Sequence, residues 1–380
     1  MANDVLDTKY MMAVVNQVQL PRAYIAQDYL PSVDVSEDEL TWDVVKDEQQ
    51  LAGIHAVDGV IKPGDEAIFS QMFSDVMRIG ASRVIPESAI RKLRDPGMVG
   101  IQTGYIADIR AAAERVVAKR LLACNSEVDA TMEYVGMKAL QGYIPWPPPE
   151  WGNPPGPLFS MTKFAIDYGF KHRLDADAGI AFGSQTLGAG YYWTDLTNSD
   201  PVRDCMAVET LLAERAGIDT GEYDIILSKQ WKYWLIQNAT LRDILKQSSS
   251  ATGLLNWQGV QSYWEATTGW RLRFYDAVYT RRTISTTDQS DITIEQKRIL
   301  PTNVVLFVPR QRGLIGDFPT SPSKANGWRT GKFTWREEKQ NPWNVEVGVG
   351  INAFPRITIP DAVAVLTVAD APLNPPNITP

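Results

Sequence analysis

Between residues 104 and 142, apolar side chains recur at Ile106, Ile109, Ala113, Val116, Leu121, Cys124, Val128, Met132, Val135 and Ala139, nearly all three or four apart. That spacing predicts a single helix with one buried stripe. Arg110, Glu114, Lys119, Arg120, Glu127, Asp129 and Lys138 fall off the stripe and predict a solvated face. No proline interrupts the segment, and Gly142 followed by Pro145 supplies a stop. At about 1.5 Å per residue the rod is roughly 55 Å long, two or three times an ordinary globular helix, and needs something extended to lie on.

Upstream, residues 41–84 alternate apolar and polar positions through TWDVV, HAVDGVIKPGDEAIF and QMFSDVMRIGASRVI, with Pro63, Gly64 and Asp65 between two β-prone runs. The pattern predicts a long hairpin, which is marginal alone and is expected to pack on another chain. Residues 1–40 mix short apolar runs with stops at Pro21 and Pro31 and predict an arm without a compact element. Residues 86–94 predict a short helix opened by Pro86.

Downstream of the long helix, residues 145–157 (PWPPPEWGNPPGP) exclude helix or central strand and predict a stiff connector, the alternative being a polyproline ligand. A strand is expected at 161–170. The glycine-rich stretch 179–190 lacks the Gly-Lys-Ser/Thr ending of a phosphate loop and predicts a flexible loop. Helix 201–217, strand 223–228, helix 229–245 and strand 270–279 then alternate, which predicts a compact α/β unit. Residues 281–300 carry no core pattern and predict an inserted loop. The continuous apolar run 303–309 predicts a strand buried on both faces, and 327–368 a set of closing strands.

Composition alters this picture at a few points. With 380 residues, 44% of them hydrophobic, the chain can bury a real core and is expected to form two or three units. It has no apolar run near 18 residues and no signal-peptide core, so neither a membrane span nor secretion is expected. Cys124 and Cys205 stand far apart with no CxxC partner, which predicts buried thiols and no disulfide or zinc site. Net charge is −8, and the first 50 residues hold ten acids against Lys9, Arg22 and Lys46, a net of −7. Such a leader is expected to order only against a partner. No basic patch supports sequence-specific nucleic-acid binding, and Lys171, His172, Arg173, Arg281, Arg282, Arg310 and Arg312 are expected to pair with acids on neighbouring subunits.

The chemistry on offer is thin. His55 and His172 are the two histidines, and GxSxG, HExxH, dinucleotide and metal-ligand spacings are all missing from the sequence. No catalytic residue, metal or cofactor is therefore expected. Trp231, Trp234, Trp257, Trp264 and Trp270, with Asp243 and Glu265, could line a sugar cleft with a carboxylate pair. The helical spacing of Trp231 and Trp234 points instead to aromatic core packing.

Taken in order, MEYVGMKALQGYI (132–144), DYGF followed by YWTDLTNSDPVRD (167–204), YDIILSKQWKYWLIQN (223–238), GWRLRFYDAVY (269–279), ILPTNVVLFVP (299–309) and NPWNVEVGVGINAFPRITIPDAVAVLTV (341–368) resemble the lambda-like capsid protein E family of tailed-bacteriophage major capsid proteins. The resemblance spans about residues 40–370. It implies an α+β, HK97-type capsid fold: N-terminal arm (1–42), extended β-hairpin or E-loop (43–85), P-domain with the spine helix (86–190, helix 104–142), α/β A-domain (191–326), P-domain closing strands (327–370) and C-terminal tail (371–380). The implied role is a major capsid (head) protein of a double-stranded DNA phage, assembling as hexamers and pentamers into an icosahedral shell in the bacterial cytoplasm. Candidate subunit-interface residues are then Lys62, Asp65, Glu66, Arg78 and Arg83 on the hairpin and Arg110, Glu114, Lys119 and Arg120 on the spine. Expected partners are copies of the chain, a separate scaffolding protein, a portal and, as an option, a decoration protein, with non-specific proximity to packaged duplex and no membrane. The lysine–asparagine crosslink used by one branch of this fold is assigned to no residues of this sequence. An encapsulin-like cargo shell, or a tryptophan-rich carbohydrate-binding protein or hydrolase, are the rivals.

Overall fold

The structure, a computed structural model, describes residues 8–16, 24–36, 39–46, 68–86, 106–146, 164–170, 173–175, 181–182, 185–186, 192–216, 223–248, 257–284, 292–340 and 343–373. Two leader segments, α1 (Thr8–Asn16) and α2 (Ala26–Tyr29), lie on the long helix α3 (Ile106–Leu140). The expected spine is thus one 35-residue helix, shorter than predicted by two residues at each end. Leu121, Cys124, Val128, Met132, Val135 and Ala139 are buried as the stripe requires. The solvated face is not continuous, however: Asp129 and Glu133 are both 4% exposed, and all of residues 132–137 are buried. Here the helix has neighbours on every side, leader on one and sheet on the other.

The leader also departs from expectation. Met11, Val15, Ile25, Tyr29 and Leu30 join the apolar core around α3, so these parts of the arm are folded onto the chain's own body. The Glu133 carboxylate accepts the backbone N–H groups of Ile25 (2.9 Å) and Ala26 (3.1 Å), an anionic cap for the first turn of α2.

The strand β1 (Ser32–Asp34) follows, then β2 (Glu39–Lys46) and β3 (Ile68–Asp75), which pair antiparallel from Glu39↔Asp75 to Lys46↔Ile68. The predicted ribbon is thus paired over these residues, but its second arm does not run on to residue 84 as expected, because residues 77–86 pair instead with residues 344–353; its turn at residues 63–65 lies outside the described residues, as do residues 87–94 of the predicted short helix. One residue after β3 the chain enters β4 (Met77–Pro86). Beyond α3 come β5 (Tyr143–Trp146), β6 (Phe164–Asp167), β7 (Arg173–Asp175) and the two-residue pair β8 (Ala181–Phe182) and β9 (Gln185–Thr186), the last two within the stretch expected to be a loop. The connector at 147–157 lies outside the described residues, and so do His55 and His172.

The next unit holds α4 (Pro201–Ala216), β10 (Tyr223–Leu227), α5 (Trp231–Gln237), α6 (Ala239–Ser248), α7 (Trp257–Thr268), β11 (Arg271–Phe274), β12 (Val278–Ile284), β13 (Ile292–Arg298) and β14 (Val304–Pro309). The predicted helix 229–245 is two helices, because Asn238 has ψ 128 and leaves the helical region. Its amide Nδ2 donates to Ser199 O (3.1 Å) and Oγ (2.9 Å), while Oδ1 accepts Leu241 N–H (3.1 Å) and caps the second helix. The predicted strand 270–279 is likewise split into β11 and β12. Residues 281–300, expected to be a loop, belong mostly to an antiparallel ribbon running from Val278↔Arg298 to Ile284↔Ile292. A ladder is made by the backbone and needs no apolar face, so the missing core pattern did not exclude one.

The chain ends through β15 (Gly316–Thr320), which the sequence reading did not anticipate, then β16 (Phe333–Gln340), β17 (Trp343–Ala353), β18 (Arg356–Ile357) and β19 (Ala364–Thr367). Two sheets result. One has the order β11-β10-β14-β19-β7; the other sets β17 between β16 and β4 and reaches β1 and β18 through β15. Both cross the boundaries expected at 190/191 and 326/327, since β7 and β19 join the first sheet and β15 the second. Along β17, Val345, Val347, Val349 and Ile351 are buried in the α3 core, while Gly348 and Gly350 on the opposite face lie beneath Trp335 and Phe333.

Trp193, Trp231, Trp264 and Trp270 are essentially fully buried in a second core; the Trp193 ring meets Trp231 and Trp264 edge-on at 5.6 and 6.2 Å. The packing reading of the tryptophans holds. Cys124 and Cys205 are buried free thiols, and burial pushes the Cys124 thiol up to about 11.

Candidate assembly surface

The hairpin is fastened at its root. Trp42 on β2 is buried, its indole N–H donates to Ile357 O at 2.9 Å, and its ring lies 5.9 Å from that of Phe354. Its other strand runs through half-buried Val76 into β4, which pairs with β17 over ten residues from Met77↔Ala353 to Pro86↔Asn344.

Among the nine predicted interface residues, Lys62, Asp65 and Glu66 lie outside the described residues, as do the side chains of Arg110 and Glu114. Arg78 is exposed on β4, with its guanidinium 5.0 Å from the Phe333 ring centre and 5.5 Å from that of Trp335. Arg83, five residues on and so on the other face of the strand, pairs with Glu127 of α3 and donates Nη1–H to Ser82 O (3.0 Å). Lys119 and Arg120 are exposed on α3. Arg83, Glu127 and Arg120 are brought close to one another around Cys124, while Arg78 points away from that group. A second tie to the helix comes from Lys332, whose ammonium contacts Asp129 and donates to Asn125 Oδ1 (2.8 Å). These pairs join the sheet to the spine within one chain.

Sequence reasoning missed the densest polar cluster. Asp224 on β10 has a fully buried carboxylate that accepts Arg271 Nε (3.0 Å) and Nη2 (2.6 Å), Arg310 Nε (3.2 Å) and the Tyr29 hydroxyl (2.8 Å). Arg273 donates to the Tyr29 hydroxyl (3.2 Å) and pairs with Asp28. Arg310 was expected to reach an acid on a neighbouring subunit; it is engaged within its own chain because Asp224 needs it more than solvent does. The signal that could have revealed the cluster is a lone acid inside the strand run YDIIL.

These six residues line an open cleft of about 580 Å³. Burial, then the neighbouring Asp224 charge, pushes the Tyr29 hydroxyl above its ordinary range. Both carboxylates face guanidinium groups, and the bonds of Tyr29 and Asp28 to Asp224 and Arg273 bolt the leader to the five-stranded sheet. Elsewhere, burial raises Asp204 to about 6, opposed by the Trp193 indole N–H that it accepts at 2.8 Å. Among the described residues no group of three or more His, Cys, Asp and Glu side chains could hold a metal, and no helix is long and apolar enough to cross a membrane.

Residues 7–368 match the family model described as phage major capsid protein E. Among solved structures, one assigned to the capsid protein of a prophage in E. coli CFT073 superposes with a TM-score of 0.57 at 12% identity, covering 96% of this chain and 99% of that one. A phage-related protein from Bordetella bronchiseptica RB50 gives 0.49 at 13% identity, covering 97% and 98%. The capsid of cyanophage P-SCSP1u gives 0.48 at 9% identity, covering 98% and 92%. No curated protein matches the chain in sequence.

Proposed function

The chain belongs to the phage major capsid protein E family and has the HK97-type fold, and from that premise we propose that it is the head subunit of a tailed double-stranded DNA phage, closing as hexamers and pentamers into an icosahedral shell. The match over residues 7–368 carries the reading. The family is one of structural proteins, and we infer a role without catalysis. The hairpin supports it: an antiparallel ribbon rooted by Trp42 has little core of its own and gains stability by lying on an adjacent copy. Heterologous contacts that close by rotation then give rings.

On this reading the hairpin is the E-loop, α3 and the six-stranded sheet form the P-domain, and the five-stranded sheet with α4–α7 forms the A-domain. Assembly takes place in the host cytoplasm, where a scaffolding protein and a portal guide a shell that the subunit's own contacts are able to close. With a net charge of −8 the subunit does not hold duplex tightly, so packaged DNA can slide along the wall.

The test shortens the hairpin at a register pair. Joining Asp43 to Gln71, which face each other, through an Asn-Gly turn keeps the Trp42 root and removes the rest of the ribbon. Electron microscopy and sedimentation should show megadalton shells for the unaltered chain and soluble, folded subunits for the shortened one. Normal shells from the shortened chain would remove the hairpin from the assembly contact; a strictly monomeric unaltered chain would remove the shell.

A further inference from the structure

Between β15 and β16, residues 321–332 form a turn that is braced from within and at both ends. Within it, a 3-10 turn (Lys324–Asn326) is capped by the Ser323 hydroxyl, which accepts Ala325 N–H at 3.3 Å. Ser323 N–H donates to Arg329 O (3.2 Å) and Trp328 N–H to Ser323 O (2.9 Å), while the Asn326 amide donates to Thr330 O (3.1 Å). At one end the Asn352 amide donates to Pro322 O (3.2 Å); at the other, Lys332 grips Asn125 and Asp129 of the spine. A loop fixed this way presents its tip in one orientation.

The tip is Trp328. It is 70% exposed, the most exposed large apolar side chain among the described residues, and the one non-glycine there with a positive φ, +62. An L-residue of that bulk disfavours the left-handed region, and an exposed indole returns nothing to the isolated fold. Single surface apolar residues are common. A strained, rigidly mounted tryptophan is a different matter, because tryptophan and arginine are the side chains that anchor interfaces. Exposed Lys324 and Arg329 flank it, and residues 321–332 contain no acid, whereas the chain as a whole carries −8. Most of that charge sits in the first 50 residues, where ten acids stand against three bases, so the leader of another copy offers this tip a counterpart of opposite sign.

We infer that residues 321–332 are a docking knob for a second copy of the chain, with the Trp328 indole as anchor and Lys324 and Arg329 facing acidic surface. The inference rests on the capsid reading above, and supplies a contact separate from the hairpin.

The decisive variant is Trp328→Gly, since glycine accepts a positive φ without strain. Its unfolding midpoint should equal or exceed that of the unaltered full chain, while the concentration needed for assembly, read by sedimentation, rises at least tenfold. Arg329→Glu should raise it too, most at low salt. In particles of the unaltered chain, hydroxyl-radical oxidation of Trp328 should fall at least tenfold relative to dissociated subunits. Equal assembly by Trp328→Gly, or equal oxidation in particles and subunits, overturns the knob and leaves the shell standing; Arg329→Glu assembling normally overturns its acidic counterpart. Failure of the unaltered chain to assemble overturns the shell reading, and the knob falls with it.

Discussion

At the level of single residues, the glycines of β17 show how a side chain on one strand fixes the identity of another. A Cβ at Gly348 would meet the Trp335 ring at 2.3 Å, and one at Gly350 would meet Phe333 at 2.9 Å. Gly348→Ala should therefore cost about 1–3 kcal/mol, read as a lower denaturation midpoint, because the indole has to leave the trough it fills. The alternation VEVGVGI was legible as a strand; which aromatics cover its glycines was not, since Trp335 lies across a register set by pairing. Asp204 carries a pH dependence. Its folded value, about 6, lies above the ordinary 3.8, so the folded state binds a proton more tightly than the unfolded one. Stability should rise as pH falls from about 6 towards 4 and decline as pH rises through that window. Asp204→Asn, which keeps an acceptor for the Trp193 indole, should flatten that segment of a midpoint-against-pH curve.

Among the elements, the spine was the most readable because 35 residues of regular spacing outweigh any local accident. Its surroundings were not, since periodicity reports that a residue is buried only when it is apolar, and Glu133 is buried for its hydrogen bonds. Glu133→Ala strands the N–H groups of Ile25 and Ala26 and should cost about 1–3 kcal/mol, with faster hydrogen exchange at those two amides. Glu133→Gln retains an acceptor and should slow that exchange again. The break at Asn238 was hidden for a related reason: the apolar pattern continues across it, and only the side-chain bonds to Ser199 and Leu241 pull the backbone out of line. The ribbon β12–β13 was missed because its ladder is made by the backbone and its sequence carries no core pattern to announce it.

For the whole molecule, the two sheets share strands drawn from distant parts of the sequence, so domain limits set by chain order could not describe them. The leader joins both: α2 caps onto the spine through Glu133 and reaches the other sheet through Tyr29. Asp224→Ala leaves Arg271, Arg273 and Arg310 facing one another, and should cost about 2 kcal/mol after allowance for their partial exposure to water. Tyr29→Phe, removing the hydroxyl's bonds to Asp224 and Arg273, should cost about 1–2 kcal/mol; equal denaturation midpoints for both variants and the unaltered chain would detach the leader from any role in holding the sheets together. A last consequence belongs to the step from β3 into β4. A neighbour that tugs the ribbon along its length strains ten ladder pairs against β17 in shear, all at once, instead of peeling them one at a time. The pull then passes from β4 through Arg83 into Glu127 and the long helix, so the subunit behaves as a tie-rod in that direction and yields far more readily to a force that lifts the ribbon sideways.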